Sequence, residues 1–237
     1  MPGFTTIRAR AAKRKGGEAA LASLMPRPAT PAELAAWTDD RMLSEMTRRI
    51  FCSGFAWSVI DKKWPGFETA FLGFAPARLM QQPPEYWDAL TTDARIVRHG
   101  QKIMSVAHNA RFISDISAEH GSLGRFIAEW PVTDQVGLLD LLGRRGARLG
   151  GNTGQYFLRF IGKDSFMLSR DVVACLRDSG LDIAETPTSK KDLARIQQQF
   201  NAWARETKLP YTHLSRICAM SIGENYPVER LQAYMGE

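Results

Sequence analysis

Cysteine is scarce: Cys52, Cys175 and Cys218 are the only three in 237 residues, too scattered for a disulfide framework and without a Cys-x-x-Cys pair. A reducing cytoplasm is the expected compartment. Four histidines, His99, His108, His120 and His213, show no metal-ligand spacing. No run of eighteen apolar residues occurs, and the basic start Ile7 to Lys15 is not followed by the apolar core of a signal peptide, so neither a membrane span nor export is expected. No hairpin of alternating β-branched residues and no repeat period is visible. Gly150-Gly151-x-x-Gly154 lacks the Gly-Lys-Ser/Thr of a Walker loop, and no strand precedes it for a dinucleotide site.

Hydrophobic residues at 44% and charged residues at 24% are ordinary globular proportions. The net charge of +6 and pI near 9.4 favour an anionic partner such as a phosphate backbone. Residues 1–31 read as a basic N-terminal arm and linker, because Gly16-Gly17, Pro26, Pro28 and Pro31 interrupt any long helix. The arm either contacts phosphates or is simply solvated. Residues 32–223 read as a helical domain and 224–237 as a C-terminal tail.

The expected class is all-α. Met42 or Leu43, Met46 and Ile50 trace one helical face to about Phe51, with Thr38, Asp39 and Asp40 placed to cap its start. Gly54-Phe55-Ala56-Trp57 breaks the pattern with aromatics where turns usually carry polar residues. A second helix follows and is expected to stop at Pro65-Gly66. Ile103, Val106, Ala110 and Ile113 define another amphipathic helix, with Lys102, His108, Asn109 and Arg111 on its polar face. The helix over Leu138–Leu142, the turn Leu149–Gly154 and the helix Gln155–Ile161 form a helix-turn-helix connection near 138–161. Such a glycine-rich turn either presents backbone N–H groups to a phosphate or only caps a helix. Val172–Leu176 fits a helix between helical neighbours, and Ser189 with Asp192 opens a long one.

Four blocks together carry a family resemblance. Met42 to Phe71, with Gly54-Phe55-Ala56-Trp57 and Lys62-Lys63, then Ile96 to Ile103 with Asn109-Ala110, then Gly146 to Tyr156 and Val172-Val173-Ala174-Cys175, resemble DNA-3-methyladenine glycosylase I in this order over roughly residues 38–176. The resemblance implies a two-lobed helix-hairpin-helix DNA glycosylase fold with a central cleft, double-stranded DNA bound across it and a flipped base between the lobes. It implies excision of alkylated purines, 3-methyladenine first among them, in base-excision repair. Trp57 matches the family's pocket tryptophan, and Tyr156 and Arg49 join it as base-binding residues. Phe55 stands where a wedge into the duplex is expected, and the competing reading buries Phe55 and Trp57 as core. Gly54, Gly151, Thr153, Gly154, Arg148, Arg98 and Lys102 are the expected DNA contacts, with Arg144 and Arg145 flanking the hairpin.

The departures are specific. Arg49 occupies the position of the family's pocket glutamate, with Glu45 one turn earlier; Glu45 either faces the pocket or pairs with Arg49 on the surface. Only Cys175 finds its counterpart in the family's zinc set and Asp171 stands at a histidine position, so no metal and no other cofactor is expected. Cleavage of a cationic N3-methylated base needs little base protonation and passes through an oxocarbenium-like state. Asp171 and Glu45 are the catalytic candidates. Ser169 fits the place of Asp171 nearly as well, and Asp171 could instead cap a helix. Gln155 occupies the region of a Schiff-base lysine, which implies a monofunctional enzyme. A cytoplasmic monomer without an obligate protein partner is expected. The rival is a DNA-binding protein that keeps this fold without excision, and a glycosylase for another lesion is the third reading.

Overall fold

The computed structural model describes residues 3–233. Among them the chain is all-α: α1 (Phe4–Lys15), α2 (Glu18–Ala22), α3 (Pro31–Ala35), α4 (Asp39–Cys52), α5 (Trp57–Ala70), α6 (Pro76–Met80), α7 (Pro84–Leu90), α8 (Gly100–His120), α9 (Leu123–Glu129), α10 (Gln135–Arg145), α11 (Asn152–Phe160), α12 (Arg170–Asp178), α13 (Lys190–Thr207), α14 (Tyr211–Ser221) and α15 (Val228–Ala233). None of these helices is long and apolar enough to cross a membrane. The helices fall into two compact units. Ala29–Trp130 with Gly137–Lys163 makes the hairpin unit. The described residues up to Pro28, Pro131–Val136 and those from Asp164 on make the terminal unit.

In the hairpin unit the apolar face of α4 meets that of α8. Met42, Leu43, Met46 and Ile50 are buried with Ile103, Val106, Ala110 and Ile113, each of these side chains except that of Ala110 contributing about 1.5–3 kcal/mol by leaving water. Asp39 does not cap its own helix as expected. Its carboxylate accepts hydrogen bonds from Ser117 Oγ and, at 3.0 Å, from the Leu123 backbone N–H at the start of α9, while Thr38 makes no side-chain cap bond. The donors at another helix's first turn outbid the local ones because they are brought within reach by packing. Gly124 lets α9 approach closely: a Cβ there would stand 2.7 Å from the carbonyl oxygens of Leu34 and Trp37.

The expected stop at Pro65-Gly66 is also corrected, since α5 runs through Pro65 to Ala70. An internal proline costs a helix about 3 kcal/mol. Stacking offsets it: Trp64 lies 5.0 Å from Phe67 and 5.6 Å from Phe74, ring centre to ring centre, with Phe67, Phe71 and Phe74 fully buried. Gly66 is required here as well, because a Cβ would reach 2.4 Å from the Arg95 carbonyl oxygen.

The terminal unit revises the basic arm. Residues 4–15 form α1, whose Phe4, Ile7, Ala11 and Ala12 are buried against α13 and α14. Three of its basic side chains are engaged within the unit: Arg10 pairs with Asp178 at 2.7 Å, Arg14 donates to the carbonyls of Met220 and Gly223, and Lys15 donates to Asn225 Oδ1 and the Tyr226 carbonyl at 2.8 Å each. A charged stripe on one side concealed an apolar stripe on the other. Phe166 and Phe200 stack at 4.4 Å at the centre of this unit.

Candidate functional site

The site is assembled within the hairpin unit from the corner between α4 and α5 and from the hairpin between α10 and α11. At the corner Gly54 adopts φ +92°, which a side chain would strain, and Ala56 is extended before α5 starts at Trp57. The last carbonyls of α4 need donors. Lys102 of α8 supplies them: only 4% exposed, its Nζ donates to the Phe51 carbonyl at 3.3 Å and to the Ser53 carbonyl, and lies 4.6 Å from the Phe55 ring centre. Burial, with Arg148 adding repulsion, pushes its ammonium pKa down.

Lys102 is therefore not the phosphate contact expected of it. Phe55 is half-buried above it and edge-on to His99 at 6.2 Å. Lys102→Met is expected to lower unfolding free energy by about 1–3 kcal/mol, because two helix-end carbonyls lose their donor. The salt dependence of DNA binding should stay unchanged, whereas loss of a phosphate contact would reduce its slope by about one. Denaturant titration and binding isotherms at several salt concentrations check the two parts separately.

The hairpin is fixed from behind. Asn109 of α8, fully buried, accepts the Ala147 backbone N–H at 2.7 Å and donates to the Ala147 carbonyl at 3.1 Å. Arg148 at φ +60° and Gly151 at φ +58° carry the chain through the turn. Gly154 is buried because α11 starts hard against the loop: a Cβ there would lie 2.4 Å from the Leu149 carbonyl oxygen. Gly151 is exposed and Thr153 half-buried at the N-terminus of α11, where unpaired N–H groups and the helix dipole favour an anion. Arg148 is exposed and donates to Gln101 at 3.2 Å, and Arg98 is exposed. Arg144 pairs with Asp140 at 2.7 Å, while the Arg145 guanidinium lies 5.7 Å from the Phe112 ring centre. Gln155 is buried.

Corner and hairpin meet in an aromatic surface. Trp57 lies edge-on to Tyr156 at 5.4 Å and to Phe160 at 5.6 Å, and the three remain 40%, 36% and 38% exposed. Three contiguous, partly exposed rings are unusual for a core and suited to stacking. Behind them sits Arg49 of α4, buried, with its guanidinium carbon 3.7 Å from the Phe160 ring centre and 5.0 Å from that of Trp57. Its Nε is 2.7 Å from Glu45 Oε1, yet the two are misaligned and make no hydrogen bond. Burial pushes the Glu45 carboxyl pKa up, outweighing the attraction of Arg49 and Arg48. Glu45 and Arg49 do pair at i,i+4, but beneath the surface rather than on it.

Trp57 lies between Tyr156 and Arg49, and Glu45 lies beside Arg49. Phe160 was missed, although it follows Tyr156 by four residues and so shares its helix face. Asp171 belongs to the terminal unit, in the first turn of α12, half-buried and packed on Gly223. It does not cap the helix: Ser169 Oγ accepts the Val172 N–H at 3.3 Å and does so instead.

Residues 35–137 match the family model described as methyladenine glycosylase, which bears out the recognition made from the residues. Solved structures similar to the chain include 3-methyladenine DNA glycosylase I from Staphylococcus aureus, at 24% identity over 54% of this chain and 78% of that one, with a TM-score of 0.48. A second structure of that enzyme, addressing 3-methyladenine recognition, shares 22% identity over 65% of this chain and 86% of that one, also at 0.48. No curated protein matches the chain.

Proposed function

We propose, from the methyladenine glycosylase pattern carried by residues 35–137, that the protein is a DNA glycosylase of base-excision repair acting on alkylated purines in double-stranded DNA. The observation that carries the reading is the exposed group of Trp57, Tyr156 and Phe160 beside the hairpin at Gly151. Gly151 and Thr153 backbone amides with Arg148 and Arg98 hold phosphates, and the extruded base stacks on the rings. Aromatic stacking of one base is worth about 1–3 kcal/mol. Water adds to the sugar carbon as the base departs, so a developing sugar cation needs a carboxylate, for which Asp171 and Glu45 are the candidates. Gln155 leaves no amine for a Schiff base, so the enzyme is monofunctional. It acts as a cytoplasmic monomer.

The test is release of free methylated purine from methylated duplex DNA by the full chain, read by mass. Release proportional to enzyme is expected, with no strand incision before alkali. Absence of any released base at enzyme concentrations that saturate DNA favours the second reading, a DNA-binding protein without excision, which Arg49 at the glutamate position motivates.

A further inference from the structure

Arg49 is a buried cation among aromatic rings. Its side chain is 4% exposed, and its guanidinium carbon lies over the Phe160 ring at 3.7 Å and the Trp57 ring at 5.0 Å. Nε and Nη1 are both buried and both without a hydrogen-bond partner. Rings can attract the charge but accept no N–H···O bond of ordinary strength. Glu45 Oε1 forms an ion pair with Nε at 2.7 Å, but the geometry gives no hydrogen bond on either side. Buried donors left open in this way are costly, and an incoming group with acceptors would relieve them.

The polarity of this reader is what the substitution changes. A carboxylate accepts from the exocyclic amino group of a 6-aminopurine. A guanidinium cannot accept at all, and its donors match the paired O6 and N7 acceptors of a 6-oxopurine. Against a 6-amino group it would set N–H against N–H and leave both buried. Glu45 alongside offsets the charge of Arg49, so a cationic guanine alkylated at N3, which keeps N7 as an acceptor, is not turned away on charge alone.

Resting on the glycosylase reading above, we propose that Arg49 determines specificity by donating to the O6 and N7 edge of the flipped base. The substrate class is then the 6-oxopurine lesion that keeps both acceptors, an N3-alkylated guanine or hypoxanthine, in preference to the 6-aminopurine 3-methyladenine.

Single-turnover release is measured for the full chain on two DNAs, a methylated duplex and a duplex with one hypoxanthine. Free 3-methyladenine, methylguanines and hypoxanthine are quantified by mass. Wild type is expected to release a 6-oxopurine at least about tenfold faster than 3-methyladenine. Arg49→Glu should invert that order, and Arg49→Gln should slow 6-oxopurine release by about tenfold. The wild-type ratio alone keeps the proposal falsifiable if a variant fails to fold. Equal or faster release of 3-methyladenine by wild type, or an unchanged ratio in a folded Arg49→Glu, overturns the specificity while leaving the glycosylase standing. Release of no base from either DNA overturns both.

Discussion

Asn109→Ala is expected to lower the unfolding free energy by about 2–5 kcal/mol, the largest single-residue effect on stability foreseen here. The side chain is fully buried, and its amide is the partner of both backbone groups of Ala147. Removing it orphans an N–H and a carbonyl, each costing about 1–3 kcal/mol when left without water or partner. Against a typical total of about 5–15 kcal/mol such a loss is severe. Gly146 next door cannot compensate by substitution, since a Cβ there would stand 2.8 Å from the Leu142 carbonyl oxygen. Asn109→Asp, which keeps the acceptor for the Ala147 N–H and loses the donor, should fall between wild type and alanine. Urea titration of the three proteins checks the order. DNA affinity measured below the unfolding range should drop with stability, because the loop at Gly151 is placed by this clamp.

Trp57→Ala should slow base release by about 10- to 100-fold, the equivalent of one lost stacking partner. Stability should change by less than about 1 kcal/mol, since Trp57 begins α5, is 40% exposed and is absent from the buried core. That loss is mainly the cation–π contact, since Arg49 keeps only one of the two rings around its guanidinium, worth about 0.5–1 kcal/mol at a partly exposed site. Trp57→Phe retains a flat face and should keep most of the activity. Single-turnover excision at saturating enzyme, paired with thermal melting, separates the possibilities. Unchanged excision in a folded Trp57→Ala would remove it from the base platform, and parallel loss of excision and melting temperature would return it to the core.

The all-α class was legible because the 3.6-residue period repeats cleanly; Ile103, Val106, Ala110 and Ile113 are all buried as their spacing required. The Gly54 corner was legible too, since glycine followed by two aromatics has few ordinary explanations. What escaped was decided by partners far along the chain. Lys102 looked like a solvated residue on a polar helix face, yet its partners Phe51 and Ser53 lie 51 and 49 positions away. Arg10 and Arg14 suggested an arm because Asp178 and Met220 are 168 and 206 positions distant. Pro65 was read by its local rule, and aromatic stacking with Phe74 overrode it. In the site, the corner aromatics and the hairpin glycines were recognisable as residue types. The open donors of Arg49 are a matter of angles and could not be read from a string.

The same long reach of α1 orders events in time. The hairpin unit closes its core from residues 29–130 and 137–163 and can condense while later residues are still being synthesised. The terminal unit cannot, because the apolar stripe of Phe4, Ile7 and Ala11 finds its cover only after α14 exists. Closing a span of that length costs entropy before any contact repays it, which makes this unit the slower to form. During that interval the newborn chain carries a short amphipathic helix, basic on one side and greasy on the other, that a chaperone could hold and a nascent neighbour could misdock.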